Sequence, residues 1–118
     1  MVRKVKASIL GVEYTVILGS RKEVPVEPEF DGLCYIYDKI IYIVTDKEDV
    51  QTQEGKYETL DEILYHEVAH AFIFESGYTA NSDEESLVVW LSKYTRRINN
   101  CVLEILDDLG ELDKDKRL

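Results

Sequence analysis

The sequence predicts an α+β fold, with about four antiparallel N-terminal strands packed on two C-terminal helices. Three observations predict it. Strand-like runs, alternating or rich in β-branched and aromatic residues, fall within the first 44 residues. Apolar residues at three- and four-residue steps fall after Thr59. Between the two regions, residues 45–58 are polar and carry Gly55, which marks a connection. The chain has 118 residues, 45 % of them hydrophobic, so a single domain over 1–118 with one core is expected.

Residues 2–10 and 12–18 read as two strands joined near Gly11. In the second, Val12, Tyr14, Val16 and Leu18 alternate with Glu13, Thr15 and Ile17, so one face is set for a core. Residues 19–32 hold Gly19, Ser20, Pro25, Pro28 and Gly32 and read as a loop. Residues 33–37 and 40–44 follow as a hairpin about Asp38-Lys39, a weaker turn signal than Asp-Gly.

The first helix is expected at about 60–76. Thr59 and Glu62 form a T-x-x-E capping box, and Asp61 and Glu62 suit the positive end of the helix dipole. No Pro or Gly interrupts before Gly77, a suitable C′ residue. Ile63, Leu64, Val68, Ala69, Ala71, Phe72, Ile73 and Phe74 spread apolar surface almost all round, which predicts a buried helix. After a short link at 78–82, residues 83–109 read as one long helix. Its rhythm is Leu87, Leu91, Tyr94, Ile98, Val102, Ile105 and Leu109, with Gly110 as C-cap and a frayed tail beyond.

Within the first helix stands His66-Glu67-Val68-Ala69-His70, an H-E-x-x-H match that holds both histidines of the chain. Residues four apart on a helix share a face, with Cβ atoms about 6 Å apart. Two imidazoles so placed converge on one zinc ion at about 2.0–2.1 Å each. Glu67 then reaches a water at the open position as general base. Two core histidines flanking a glutamate by coincidence is the poorer reading, because the cap and the expected burial agree with the motif. A structural zinc site would call for four protein ligands, often cysteine. Cys34 and Cys101 form no C-x-x-C and no disulfide framework, which suits a reducing cytoplasm.

Net charge is −10, unevenly spread: residues 1–22 sum to +4 and the remainder to −14. An acidic chain is a poor nucleic-acid binder, so no nucleic-acid partner is expected. The apolar run at the start is short and ends at Glu13, so it reads as a strand, not a signal peptide. No run is long enough to span a membrane.

With these pieces in order, the chain resembles the small zinc peptidases of the ImmA/IrrE type, minimal zincins of prophages, mobile elements and stress responses. FDGLCYIYDKIIYIV, ETLDEILYHEVAHAFIFESG and EESLVVWLSKY carry the resemblance, over roughly residues 30–95. It implies a zincin-like fold and zinc-dependent hydrolysis of a peptide bond in a protein substrate, often a transcriptional regulator. It also implies an acidic third zinc ligand on the helix after the motif. The family pattern there is a Glu with a small or apolar residue three on, an apolar residue six on and a small residue seven on. Glu85, with Val88, Leu91 and Ser92, fits. Glu84 gives Leu87, Trp90 and Leu91, a poorer fit at the last place. Glu85 also shares a slimmer helix face, with Val88, Ser92 and Thr95, than Glu84 does with Leu87, Leu91 and Tyr94. The expected ligands are therefore His66, His70 and Glu85, with Glu84 the alternative, for one zinc per chain.

Other readings stay open. One is a zinc-containing protein-binding module without catalysis, against which the retention of Glu67 counts. Another is a deformylase-like amidase with Cys34 as third ligand. Tyr65, Tyr78 and Tyr94 are the tyrosines nearest the motif that could serve an oxyanion. The strand at 40–44 is an edge on which an extended peptide could pair.

Overall fold

A computed structural model describes residues 2–46, 59–78 and 84–110, with the side chains of Glu84, Glu85, Val88 and Ser92 left out. The connection at 47–58, the link at 79–83 and the tail at 111–118 lie outside the described residues. The elements are β1 (Arg3–Ile9), β2 (Val12–Gly19), β3 (Gly32–Tyr35), β4 (Ile40–Val44), α1 (Leu60–Ser76) and α2 (Glu84–Asp108). The architecture is α+β, with one four-stranded sheet followed by helices.

β1 and β2 form an antiparallel hairpin closed by Leu10 and Gly11, since Ile9 pairs with Val12. Both turn residues have positive φ, 51° and 84°. That is the requirement of a two-residue type I′ turn, whose twist matches the strands it joins. Gly11 meets it without strain. Leu10 is the unusual member, and its side chain packs against the core.

The sheet is mixed and not wholly antiparallel as its strand pattern predicts. Strand order is β1-β2-β4-β3, and β4 runs parallel to β2 with Val16 opposite Ile41. The β3–β4 hairpin docks with its second strand inward, so β4 lies between β2 and β3 and the edge falls to β3. This overturns the expectation of an open edge at 40–44. β4 also buries Ile41, Ile43 and Val44, the most apolar stretch of the two strands, which favours the inner position. The turn between β3 and β4 takes four residues, 36–39, because Tyr35 pairs with Ile40 and β3 ends two residues sooner than its sequence suggests.

One face of the sheet carries Ala7, Ile9, Tyr14, Val16, Leu18, Ile41 and Ile43, all buried. α1 covers it at β3 and β4, and α2 packs on β1 and on α1. α1 supplies Ile63, Leu64, Val68, Ala71 and Phe72, and α2 supplies Trp90, Cys101, Val102, Ile105 and Leu109. Ends are fixed as the capping signals predict. The Glu62 N–H donates to Thr59 Oγ1 at 3.4 Å, and Gly77 takes φ 75° with its N–H donating to the Phe74 carbonyl at 3.2 Å. Arg3 donates to the carbonyl of Leu109 at the C-terminal end of α2, where a cation is favourable.

Two helix expectations change. α1 is buried on one side only: His66, His70, Ile73 and Phe74 are exposed. On α2, Leu87 and Leu91 are exposed, and the buried line begins at Trp90. Trp90 Nε1 donates to Ser76 Oγ at 2.7 Å, which turns the start of α2 so that the indole meets the end of α1. Among the described residues, no helix is long and apolar enough to cross a membrane.

Candidate functional site

α1 sorts its motif by helical geometry. Glu67, Ala71 and Glu75 follow at four-residue steps on the side that faces the sheet, where Glu67 and Ala71 are buried. His66 and His70 lie next to that row and open outward. Their Nε2 atoms stand 3.2 Å apart, with the rings tilted 76° to each other. Two nitrogens bound to one tetrahedral zinc at about 2.0–2.1 Å would be separated by about 3.3–3.4 Å. The pair therefore has the spacing of a two-imidazole metal half-site. The same spacing also accommodates one N–H···N hydrogen bond between the rings. Burial, then the neighbouring His66, holds the pKa of His70 below the ordinary imidazole value, which favours the neutral donor form.

Glu67 packs against backbone. A Cβ placed on Gly32 would lie 2.8 Å from Glu67 Cγ, 2.9 Å from Oε2 and 3.0 Å from Ile63 Cγ2. The glycine at the head of β3 is thus the space the carboxylate occupies. Its role is missed when residue 32 is read as the end of a loop. Gly32→Ala is expected to cost about 1–3 kcal/mol, the range for overpacking, measured from urea midpoints. Adding Glu67→Ala should recover most of that loss, because the two nearest atoms are gone and only Ile63 Cγ2 at 3.0 Å remains, and a double-mutant cycle reads the coupling.

Strand β3 forms the other wall. Arg21 holds its approach: Nη1 donates to the carbonyls of Glu27 at 3.0 Å and Phe30 at 2.9 Å, and Nη2 lies 3.4 Å from Asp31 Oδ1. The N–H of Val44 donates to the Asp31 carbonyl at 3.0 Å, so 31 and 44 are a hydrogen-bonded pair of the antiparallel ladder. By alternation, the backbone groups of Gly32 and Cys34 point away from β4, toward the edge that no strand among the described residues occupies. Between this edge and α1 runs a cleft of about 470 Å³. Gly32, Cys34, His66, Glu67, His70 and Tyr78 line it, with Phe30, Ile36, Ile73 and Phe74 as apolar walls.

His66, Glu67 and His70 are therefore brought together. The side chain of Glu85 lies outside the described residues, as does that of Glu84. On the row assigned to Glu85, Thr95 is exposed; on the Glu84 row, Tyr94 is half-buried but Leu87 and Leu91 are exposed. The packing of α2 singles out neither row. Among the described residues, no group of three His, Cys, Asp or Glu side chains is placed to hold a metal. Cys34 shares the cleft, yet burial, then the charges of Glu67 and Glu75, pushes its thiol up to about 12. It lines the cleft as a neutral thiol. Of the three tyrosines, only Tyr78 lines the cleft. Tyr65 donates to Asn99, and Tyr94 packs between Phe72 and Trp90.

No family model, curated protein or solved structure matches the chain.

Proposed function

We propose that this protein is a zinc-dependent metallopeptidase of minimal zincin type, acting on a peptide bond in a protein substrate. One observation carries the reading: two imidazole nitrogens 3.2 Å apart open into the cleft where the Glu67 carboxylate is seated against Gly32. When bound by the histidines, zinc would act as a Lewis acid on a carbonyl and make water easier to deprotonate near neutral pH.

The protein's own groups do the rest. Glu67 accepts the water proton at its carboxylate and delivers it to the leaving amine. Its seat against the Gly32 backbone holds the carboxylate in place, which general-base geometry requires. Gly32 and Cys34 offer outward N–H and C=O groups on which an extended peptide can pair as an added strand. The N–H donors of that edge also orient a carbonyl toward the histidines. Tyr78 is the candidate in the cleft for a further oxyanion donor.

The test is hydrolysis of a peptide library by zinc-loaded protein, stopped by a chelator and restored by zinc. Absence of any cleavage by a zinc-loaded chain would favour the non-catalytic binding module. Within this reading Glu85 is the third ligand, on the family pattern. Glu85→Gln should weaken zinc binding strongly, while Glu84→Gln leaves it nearly unchanged. A competition titration against a chromophoric chelator ranks them. The reverse order assigns the ligand to Glu84.

A further inference from the structure

Three elements meet at the C-terminal end of α1. Tyr14 of β2 and Lys39 of the β3–β4 turn both donate to Glu75 Oε2, each at 2.6 Å. Two of these residues are poor local choices. Glu75 stands in the last turn of a helix, with no basic residue in that turn, where the dipole disfavours a carboxylate. Lys39 has φ 59°, a conformation that suits Gly or Asn and costs a lysine roughly 1–2 kcal/mol. The bond between them accounts for both. Burial opposes ionisation of Glu75, but the bonds from Lys39 and Tyr14 outweigh it and hold the carboxyl below its ordinary range.

The same ammonium lies 4.8 Å from the centroid of the Phe74 ring, and Tyr37 meets that ring at 5.5 Å in an edge contact. Phe74 lines the cleft, together with Ile73 and, from the turn, Ile36. Tyr37 is 83 % exposed, so burial does not hold the tip of this turn in place. What holds it is Lys39: its carbonyl accepts from the Thr15 N–H at 2.9 Å, and its ammonium ties the turn to Glu75 and Phe74. A pair of this kind adds little net stability over an apolar replacement, and its best-attested use is to fix one geometry.

We propose that Lys39 and Glu75 are a positioning pair that locks the β3–β4 turn and Phe74 into one apolar wall. The cleft thereby selects peptides with a bulky apolar side chain beside the bond held at the histidines. This rests on the zinc-peptidase reading and adds to it a substrate class and the residues that set it. Neither residue touches the reacting atoms; both act through Phe74 and Ile36.

Two hydroxamates test it on the zinc-loaded protein by calorimetry, without relying on turnover. Acetohydroxamate probes the metal alone, and leucine hydroxamate adds one apolar side chain. The wild type should bind the leucine compound about tenfold or more tightly than the acetyl one, the worth of burying one such side chain. Lys39→Gly keeps the turn conformation at no steric cost and removes the ammonium. It should bring the ratio near one while leaving zinc and acetohydroxamate affinities unchanged, and Lys39→Arg should restore most of the preference. Glu75→Gln serves as a second variant, with the same loss expected, should Lys39→Gly fail to fold. A ratio that Lys39→Gly and Glu75→Gln leave intact overturns the positioning pair and leaves the zinc site standing. A wild type that binds neither zinc nor acetohydroxamate overturns both readings together.

Discussion

Purified protein is expected to carry about one zinc per chain, and the His66→Ala/His70→Ala variant none. His66 and His70 are the only histidines of the chain, and their Nε2 atoms already stand 3.2 Å apart. Losing both removes the half-site, not a supporting bond. Each single replacement should therefore weaken zinc by more than the ~10–100-fold that loss of an outer-shell partner costs. Binding is readable without any substrate. A ligand that binds only the folded state at a hundredfold excess over its Kd stabilises it by about 2.7 kcal/mol, or on the order of 10 °C in Tm for a chain of this size. The wild type should show that shift on adding zinc and the double variant none. Acidification should act in the same direction, since a metal needs neutral imidazoles, and because burial and His66 hold His70 below the ordinary imidazole value, its protonation sets in only at lower pH. Full zinc occupancy in the double variant would remove the site from consideration.

Glu67→Gln is expected to keep zinc and fold while hydrolysis falls on the order of 10²–10⁴-fold, the range for general acid–base work. The amide has nearly the shape of the carboxylate and fits the same space against Gly32. It cannot accept the proton from water. The measurement is kcat on a peptide cleaved by the wild type, with zinc content determined on the same sample. Equal activity in variant and wild type would show that Glu67 is not the base, whatever its position.

The pieces legible in the sequence were those whose signals are local. The cap at Thr59, the stop at Gly77 and the i, i+4 histidines are written within one helix, and α1 spans Leu60–Ser76 as expected. The alternation of Val12, Tyr14, Val16 and Leu18 gave the inner face of β2 correctly. Strand order was not legible, because a hairpin's sequence sets the pairing of its own strands and says nothing of which one docks inward. Hence the parallel β2–β4 seam and the edge at β3 came only with the structure. α1 looked apolar all round because the side facing the cleft carries Ile73 and Phe74 as walls, and a cleft wall and a core contact look alike in sequence. Lys39 and Glu75 did leave a mark. A lysine where a turn favours glycine, and an acid at the wrong end of a helix dipole, are each minor oddities. Nothing in the sequence says that they face each other.

Gly32 and Glu67 make the order of substitutions directional. A carboxylate can be lost first, by Glu67→Ala, and an alanine added at position 32 afterwards with only the Ile63 Cγ2 contact at 3.0 Å left to relax. The reverse order meets an obstacle at its first step, since a Cβ at 32 would stand 2.8 Å from Glu67 Cγ. A lineage drifting from this sequence can therefore give up the base and then fill the glycine, and the filled glycine afterwards resists return of the base. Position 32 works as a one-way latch: glycine there keeps Glu67 possible, and any larger residue records that the carboxylate has already gone or that β3 has moved to make room.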